Sequence, residues 1–300
     1  MFTTETIRDF VRAPMPATRR AASGLRFSIV MPSFRHAAFI ERSLNSVLNQ
    51  EYERIELIVM DGGSADGTRE ILEKYSPRLA VWRSEPDEGQ SDALNKGFGY
   101  VTGDIVGWLN SDDLYLPGAM HHAADIFAAH PQIDVVYGDW LTLDLTDRVL
   151  YRWPALAPSR GRLVTEGFFC NAQAMFWRRS LHQRLGGFDT QLHYTMDYDL
   201  MLQMISAAGP GAFFRTDRPL GCFRVYQGQK TGAANSPVPQ EHRRIAAQRG
   251  TSWKYQLGGQ VLRSFYRVTR CAEILARGRR DHLLSRLKGH LTFTGKNQAT

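Results

Sequence analysis

Four short apolar runs, each closed by a polar turn and most followed by a helix-forming stretch, constrain this chain more than any other feature. They are "RFSIVMPSF" (26–34), "IELIVMDGGSADGT" (55–68), "LAVWRSE" (79–85) and "DIVGWLN" (104–110). Their length and content read as buried strands. After the first, Ile40, Leu44, Val47 and Leu48 recur at helical spacing. Asp66 is placed to cap a helix carrying Ile71, Leu72 and Tyr75, and further helices are expected through Ala93 to Tyr100 and Met120 to Phe127. Strand and helix alternating in this way predict a Rossmann-like α/β fold, a doubly wound, mainly parallel sheet flanked by helices.

In such sheets ligands bind beyond the carboxyl ends of the strands. Those ends hold Pro32-Ser33, then Asp61-Gly62-Gly63-Ser64, then Glu85 to Gly89, then Asp112-Asp113. Three of the four carry acid. Converging carboxylates repel one another and destabilise a fold unless something positive is shared. Oxygen ligands suit hard divalent ions. The "GDIVGWLNSDDLYLPGAM" segment (103–120) therefore implies a metal at the end of its strand, and phosphates on that metal.

The second half changes character. "VVYGDWLTLDLTDRVLYRW" (135–153) reads as a hairpin, and "GFFCNAQAMFWRR" (167–179) as a strand. Within 186–209, Asp197 heads a helix that turns Leu200, Met201, Met204 and Ile205 inward. An Asp at a helix start is most often only a cap.

In order, "IVMPSF", "VMDGGSADGT", "SEPDEGQSDALNKG", "GWLNSDD", "GGFD" and "MDYDLMLQ" resemble the motifs of the family-2 inverting glycosyltransferases with the GT-A fold, over roughly 27–232. The resemblance implies single-sugar transfer from a nucleoside-diphosphate sugar (a UDP- or GDP-sugar) to a saccharide or lipid-linked saccharide acceptor, with Mg²⁺ or Mn²⁺ as cofactor. It implies that Ser33, Asp61, Asp92, Asn95 and Lys96 line the donor site, that Asp112 contacts the ribose side and Asp113 the metal, and that Asp197 is the catalytic base. Asp199 is then structural or acceptor-facing. Relatives commonly carry a His two residues after the Phe-Arg pair. Here the sequence is "FRVYQGQKT", with Tyr226 in that place, leaving Arg224 and Lys230 for the diphosphate. The membrane helices and Gln-x-x-Arg-Trp motif of processive synthases are absent from the sequence.

The expected organisation is a disordered lead-in (1–24), a GT-A domain (25–232) with a nucleotide-sugar half (25–115) and an acceptor half (116–232), and a basic helical tail (233–300). The net charge of +7 is concentrated late: residues 241–290 hold twelve Lys and Arg against three Asp and Glu. The basic balance thus belongs to the tail, and no nucleic-acid motif accompanies it. Three widely spaced cysteines show no metal-ligand spacing and suggest reduced thiols in a cytoplasmic chain. On a helix, Val261, Phe265, Val268, Ala272 and Leu275 share one face, Arg263, Arg267, Arg270 and Arg277 the other, and Ile274 falls out of place. Two readings stand: the apolar stripe packs on the catalytic domain, or it lies peripherally on an anionic membrane surface. A nucleotidyltransferase is disfavoured, because no glycine-rich loop follows the first strand. A non-catalytic sugar-binding module would have no use for both the Asp112-Asp113 pair and Asp197.

Overall fold

The computed structural model describes residues 3–4, 6–8, 24–230, 237–252 and 257–276. Its first half follows the sequence pattern. Strands β1 (Phe27–Ser33), β2 (Ile55–Asp61), β3 (Val81–Ser84) and β4 (Ile105–Trp108) alternate with helices α1 (Ile40–Leu48), α2 (Thr68–Tyr75) and α3 (Gln90–Phe98). The four strands are parallel neighbours in the order β3-β2-β1-β4. All seven residues of β1 are buried, as a strand covered on both faces requires. Asp66 does organise the start of α2: its Oδ1 accepts from the Thr68 N–H and hydroxyl, and its Oδ2 from Ala37 N–H.

Beyond β4 the sheet becomes mixed. After β5 (Leu114–Tyr115) and α4 (Ala119–Ala129) come the hairpin β6 (Val135–Leu143) and β7 (Val149–Trp153), β8 (Met175–Arg178) and β9 (Phe213–Arg224). β8 joins β4 and β6 antiparallel, while β6 and β9 run parallel. The parallel character therefore belongs to the nucleotide half. Of the strand expected over 167–179, only Met175–Arg178 forms; α5 (Arg160–Glu166) precedes it, and α6 (Arg179–His182) follows. Next come α7 (Met196–Ala208), α8 (Val238–Gln248) and α9 (Leu257–Ala276). Two large apolar clusters lie in the core. One centres on Phe27, Ile29, Leu44 and Phe176, the other on Trp108, Trp177, Met201 and Met204.

Two expectations about the ends need correction. The lead-in is not wholly detached: Ile7 is buried with Leu114, Leu141 and Cys222, and Arg8 donates to the Thr146 carbonyl at 2.8 Å. The tail helix docks on the domain, but not through its apolar stripe. Glu273 accepts from Arg162 at 2.8 Å and also pairs with Arg215, Tyr266 meets Ser159, and Ile274 is buried in the core. Gly161 permits this approach, since a Cβ there would lie 2.3 Å from the Tyr266 hydroxyl. Val261, Phe265, Val268 and Leu275 face outward, 49–69% exposed. Arg277 lies outside the described residues, and among these no helix is long and apolar enough to cross a membrane.

Candidate active site

The parallel strands deliver their terminal residues to one edge. β1 and β2 run in register, so Ser33 sits beside Asp61. Ser33 is buried, and its hydroxyl has no partner among the described residues. A buried hydroxyl without a partner is costly, which marks this position as one that a ligand would complete. Asp61 is also buried. Its oxygens accept from the Ser64 hydroxyl (2.6 Å), Ser64 N–H (2.9 Å) and the Ser84 hydroxyl (2.7 Å). The turn between these residues needs Gly63, which adopts φ +80° against Pro86.

At the end of β4, Asn110 orders the aspartate pair. Its Oδ1 accepts from Trp108 Nε1 and Gln90 Nε2, and its Nδ2 donates to Asp113 Oδ2 at 3.1 Å. Asp113 Oδ1 accepts from Arg224 N–H at 2.8 Å. Burial, together with the neighbouring Asp112 charge, pushes the Asp113 carboxyl well above its ordinary range, against those bonds. Asp112 Oδ2 accepts from the Tyr226 hydroxyl at 2.9 Å. Tyr226 is held protonated, its pKa raised by burial and by the Asp112 charge. It therefore serves the pair as a hydrogen-bond donor.

The residues expected to hold the diphosphate separate into two groups. Lys96 is partly exposed and forms an ion pair with Asp92 one turn earlier, at 3.0 Å. Asp92 also accepts from Glu88 N–H. Lys230 reaches Gln90 Oε1 at 3.4 Å and sits over the Tyr194 ring. Crowding around its ammonium end lowers its pKa, while the charges of Glu241, Asp197 and Asp87 oppose that shift. Both lysines thus border the acidic edge. Arg224 and Asn95 do not. Arg224 is fully buried, pairs with Asp147 at 2.6 Å, and donates to the carbonyls of Asp112 and Asp144. It braces the aspartate loop from behind. Asn95 spends both ends of its amide on the Phe188 backbone, holding the "GGFD" loop. Both side chains are held by the protein itself, although Arg224 Nη2 is buried with no hydrogen-bond partner among the described residues.

Asp197 lies in the first turn of α7, half-buried, accepting from Tyr198 N–H at 2.8 Å. Burial raises its pKa to about 6, against that backbone bond. Such a carboxylate is ionised at neutral pH yet more basic than an ordinary one. Its loop is fixed from a distance. Glu241 of α8 accepts from the N–H groups of His193, Tyr194 and Thr195 and from the Thr195 hydroxyl, holding the segment that leads into α7. Asp199 is structural: Arg249 grips both of its oxygens at 2.7 Å. Sequence reasoning did not single out Gln90, Asn110 or Glu241. The first two sit inside motifs already quoted, whereas nothing local distinguishes Glu241.

Residues 28–185 match the profile of Glycosyl transferase family 2. The chain belongs to that family. It is similar to a PGL/p-HBAD biosynthesis glycosyltransferase of Mycobacterium bovis, 30% identical over 184 residues, covering 60% of this chain and 70% of that protein. It also resembles an uncharacterized glycosyltransferase of Rickettsia typhi, 29% identical over 214 residues, covering 69% of this chain and 66% of the other. Among solved structures, S. aureus TarS in complex with UDP-GlcNAc shares the fold at TM-score 0.59 and 19% identity, covering 75% of this chain and 66% of that one. The mannosyltransferase PcManGT of Pyrobaculum calidifontis, in complex with GDP-Man and Mn²⁺, shares it at TM-score 0.52 and 18% identity, covering 94% and 86%. The fold is GT-A, and the chain is a glycosyltransferase.

Proposed function

We propose that this family member is an inverting transferase that moves one sugar from a nucleoside-diphosphate sugar to an acceptor hydroxyl. The observation that carries the reading is Asp197: a half-buried carboxylate with its pKa raised to about 6, on a different element from the Asp112-Asp113 pair. One acid set serves the donor and another the acceptor. Ser33 and Asp61 would line the nucleoside, while Lys96 and Lys230 would offer positive charge to the diphosphate. TarS binds UDP-GlcNAc and PcManGT binds GDP-Man, which supports a sugar nucleotide as donor.

No three-residue metal cluster occurs among the described residues, so a cation would draw on Asp112, Asp113 and the diphosphate itself. The donor set fits a hard ion: two adjacent carboxylates, with one Asp112 oxygen outside the Tyr226 bond. Asp112 and Asp113 together would hold Mg²⁺ or Mn²⁺, whose charge would stabilise the departing diphosphate. Asp113 is the more buried of the two and carries two internal bonds, so the pair is a better assignment than Asp113 alone. Asp197 would accept the proton of the acceptor hydroxyl, worth roughly 10²–10⁴-fold in rate. Attack from the face opposite the diphosphate inverts the anomeric centre.

The tail adds a location. An outward apolar stripe on a helix already anchored by its polar face needs a cover. Arg267 is exposed on α9, and residues 277–300 carry six Lys and Arg against one Asp. An anionic membrane surface complements both, and a lipid-linked saccharide is then the acceptor within reach. The test is incubation with a panel of UDP- and GDP-sugars, with and without chelator, measuring released nucleoside diphosphate. Metal-dependent release is expected; no release from any sugar nucleotide would overturn the reading.

A further inference from the structure

Gln173 is a buried polar side chain that the fold leaves incomplete. It is 4% exposed, and its amide oxygen Oε1 is buried with no hydrogen-bond partner among the described residues. Its backbone, by contrast, is held. The Gln173 N–H donates to Asn171 Oδ1 at 3.1 Å, and the Ala174 N–H to the Asn171 carbonyl at 3.0 Å. A buried amide oxygen without a partner destabilises a fold unless a ligand completes it. Two observations fix where this residue sits. β8 runs antiparallel to β4, with Gly107 opposite Phe176, so the helical turn Ala172–Ala174 that leads into β8 lies at the end of β4 that carries Asn110 and the Asp112-Asp113 pair. A Cβ at Gly221 of β9 would overlap the Gln173 carbonyl and lie 3.3 Å from the carbonyl of Leu114, the residue after Asp113. On its other side the segment reaches the proposed base. Cys170 is fully buried, and its thiol pKa is raised by burial and further by the Asp197 charge. Cys170 and Ala172 share an apolar cluster with Trp108 and with Met196, the residue before Asp197. Residues 170–173 thus bridge the aspartate pair and the base.

We infer that Gln173 contacts the sugar being transferred, and so helps to set donor-sugar specificity. The inference rests on the transferase reading and deepens it. With the diphosphate at Asp112-Asp113 and the attacking hydroxyl at Asp197, the transferred sugar lies between them, along residues 170–173. Its hydroxyls are neutral, and each can both donate and accept. Gln173 Oε1 accepts from one of them, and the amide nitrogen donates to its neighbour. A neutral amide does this without adding another charge beside three carboxylates. The bonds from Asn171 hold the turn in place before the sugar arrives, which lowers the cost of ordering it on binding. A sugar that lacks the matching hydroxyl leaves the buried amide unpaired, and that penalty is what discriminates between donors.

The test is calorimetric titration of the full chain, in Mn²⁺, with UDP, GDP, UDP-glucose, UDP-N-acetylglucosamine and GDP-mannose. The wild type is compared with Gln173→Met, which keeps the length without the amide, and Gln173→Asn, which keeps the amide one methylene short. The sugar nucleotide that the wild type binds best should bind both variants about tenfold or more weakly, while UDP and GDP stay within about twofold of the wild type. Thermal melting without ligand is the readout that a purely structural role would move the other way. Gln173→Met removes an unpartnered buried oxygen, so it should melt no lower than the wild type. Unchanged sugar-nucleotide binding in both variants overturns the inference. So does an equal loss of UDP or GDP binding, or a lower melting temperature for Gln173→Met, since either means that the amide braces the turn. Nucleoside-diphosphate release by the wild type reports separately on the transferase reading: release with sugar-nucleotide binding unaffected by both variants overturns the role of Gln173 alone, and neither binding nor release with any sugar nucleotide overturns both.

Discussion

Helices α1 and α9 carry the same kind of apolar stripe and turn it in opposite directions. In α1, Ile40, Leu44 and Val47 are fully buried against the sheet, beside Ile29, Met31 and Val59. In α9, Val261, Phe265 and Val268 are 57–69% exposed, while Glu273, Tyr266 and Ile274 face the domain. The cause lies in what each helix meets. α1 lies over strands whose side chains are apolar, so its stripe is the complementary face. α9 meets Arg162 of α5 and Ser159 just before it, together with Arg215 of β9, and Glu273 satisfies both arginines at once. Periodicity identifies an amphipathic helix; the partner's chemistry decides which face turns in.

Truncations on the two stripes should therefore diverge sharply. Leu44→Ala is expected to destabilise by about 3–5 kcal/mol, as for a fully buried leucine. Val268→Ala should stay within about 0.5 kcal/mol. Chemical denaturation of both variants measures the contrast, and a large loss for Val268→Ala would mean that the stripe has an internal partner. The next effect is on membranes. Val261→Ser, Phe265→Ser and Val268→Ser combined should reduce binding to anionic vesicles by roughly tenfold or more, with little change in melting temperature. Equal sedimentation with neutral and anionic vesicles would point to a protein partner instead. The smallest effect is electrostatic. Arg267→Gln should weaken vesicle binding by roughly 1 kcal/mol, about fivefold, and the difference should vanish at high salt.

The nucleotide half was readable in the sequence because its strands end in chemistry that a buried strand would otherwise avoid. Acid at three strand ends, and a serine at the other, follow directly from the runs at 26–34, 55–68, 79–85 and 104–110. What stayed hidden depended on distant partners. Arg224 looks like a phosphate contact until Asp147, 77 residues earlier in the chain, is seen to pair with it. Asn95 looks donor-facing until the Phe188 backbone takes its amide. Glu241 fixes the segment leading into α7 and Asp197 from 46 to 48 residues away, and no local pattern announces such a contact. Helix α5 escaped notice because seven residues are too few for a clear period.

The central claim is that Asp197 is the base. The direct measurement is nucleoside-diphosphate release from the best sugar nucleotide across pH 4.5–8, for the wild type and for Asp197→Asn. The carboxyl is protonated below its raised pKa of about 6, so wild-type turnover should rise with pH through that region. The same shift means that ionising Asp197 costs the folded state stability as pH climbs from the ordinary carboxyl range to about 6, so the Asn variant should melt no lower at pH 7. Turnover should fall by roughly 10²-fold or more and lose the limb near pH 6, with nucleotide binding retained. Wild-type turnover in Asp197→Asn, with the limb intact, would contradict the account.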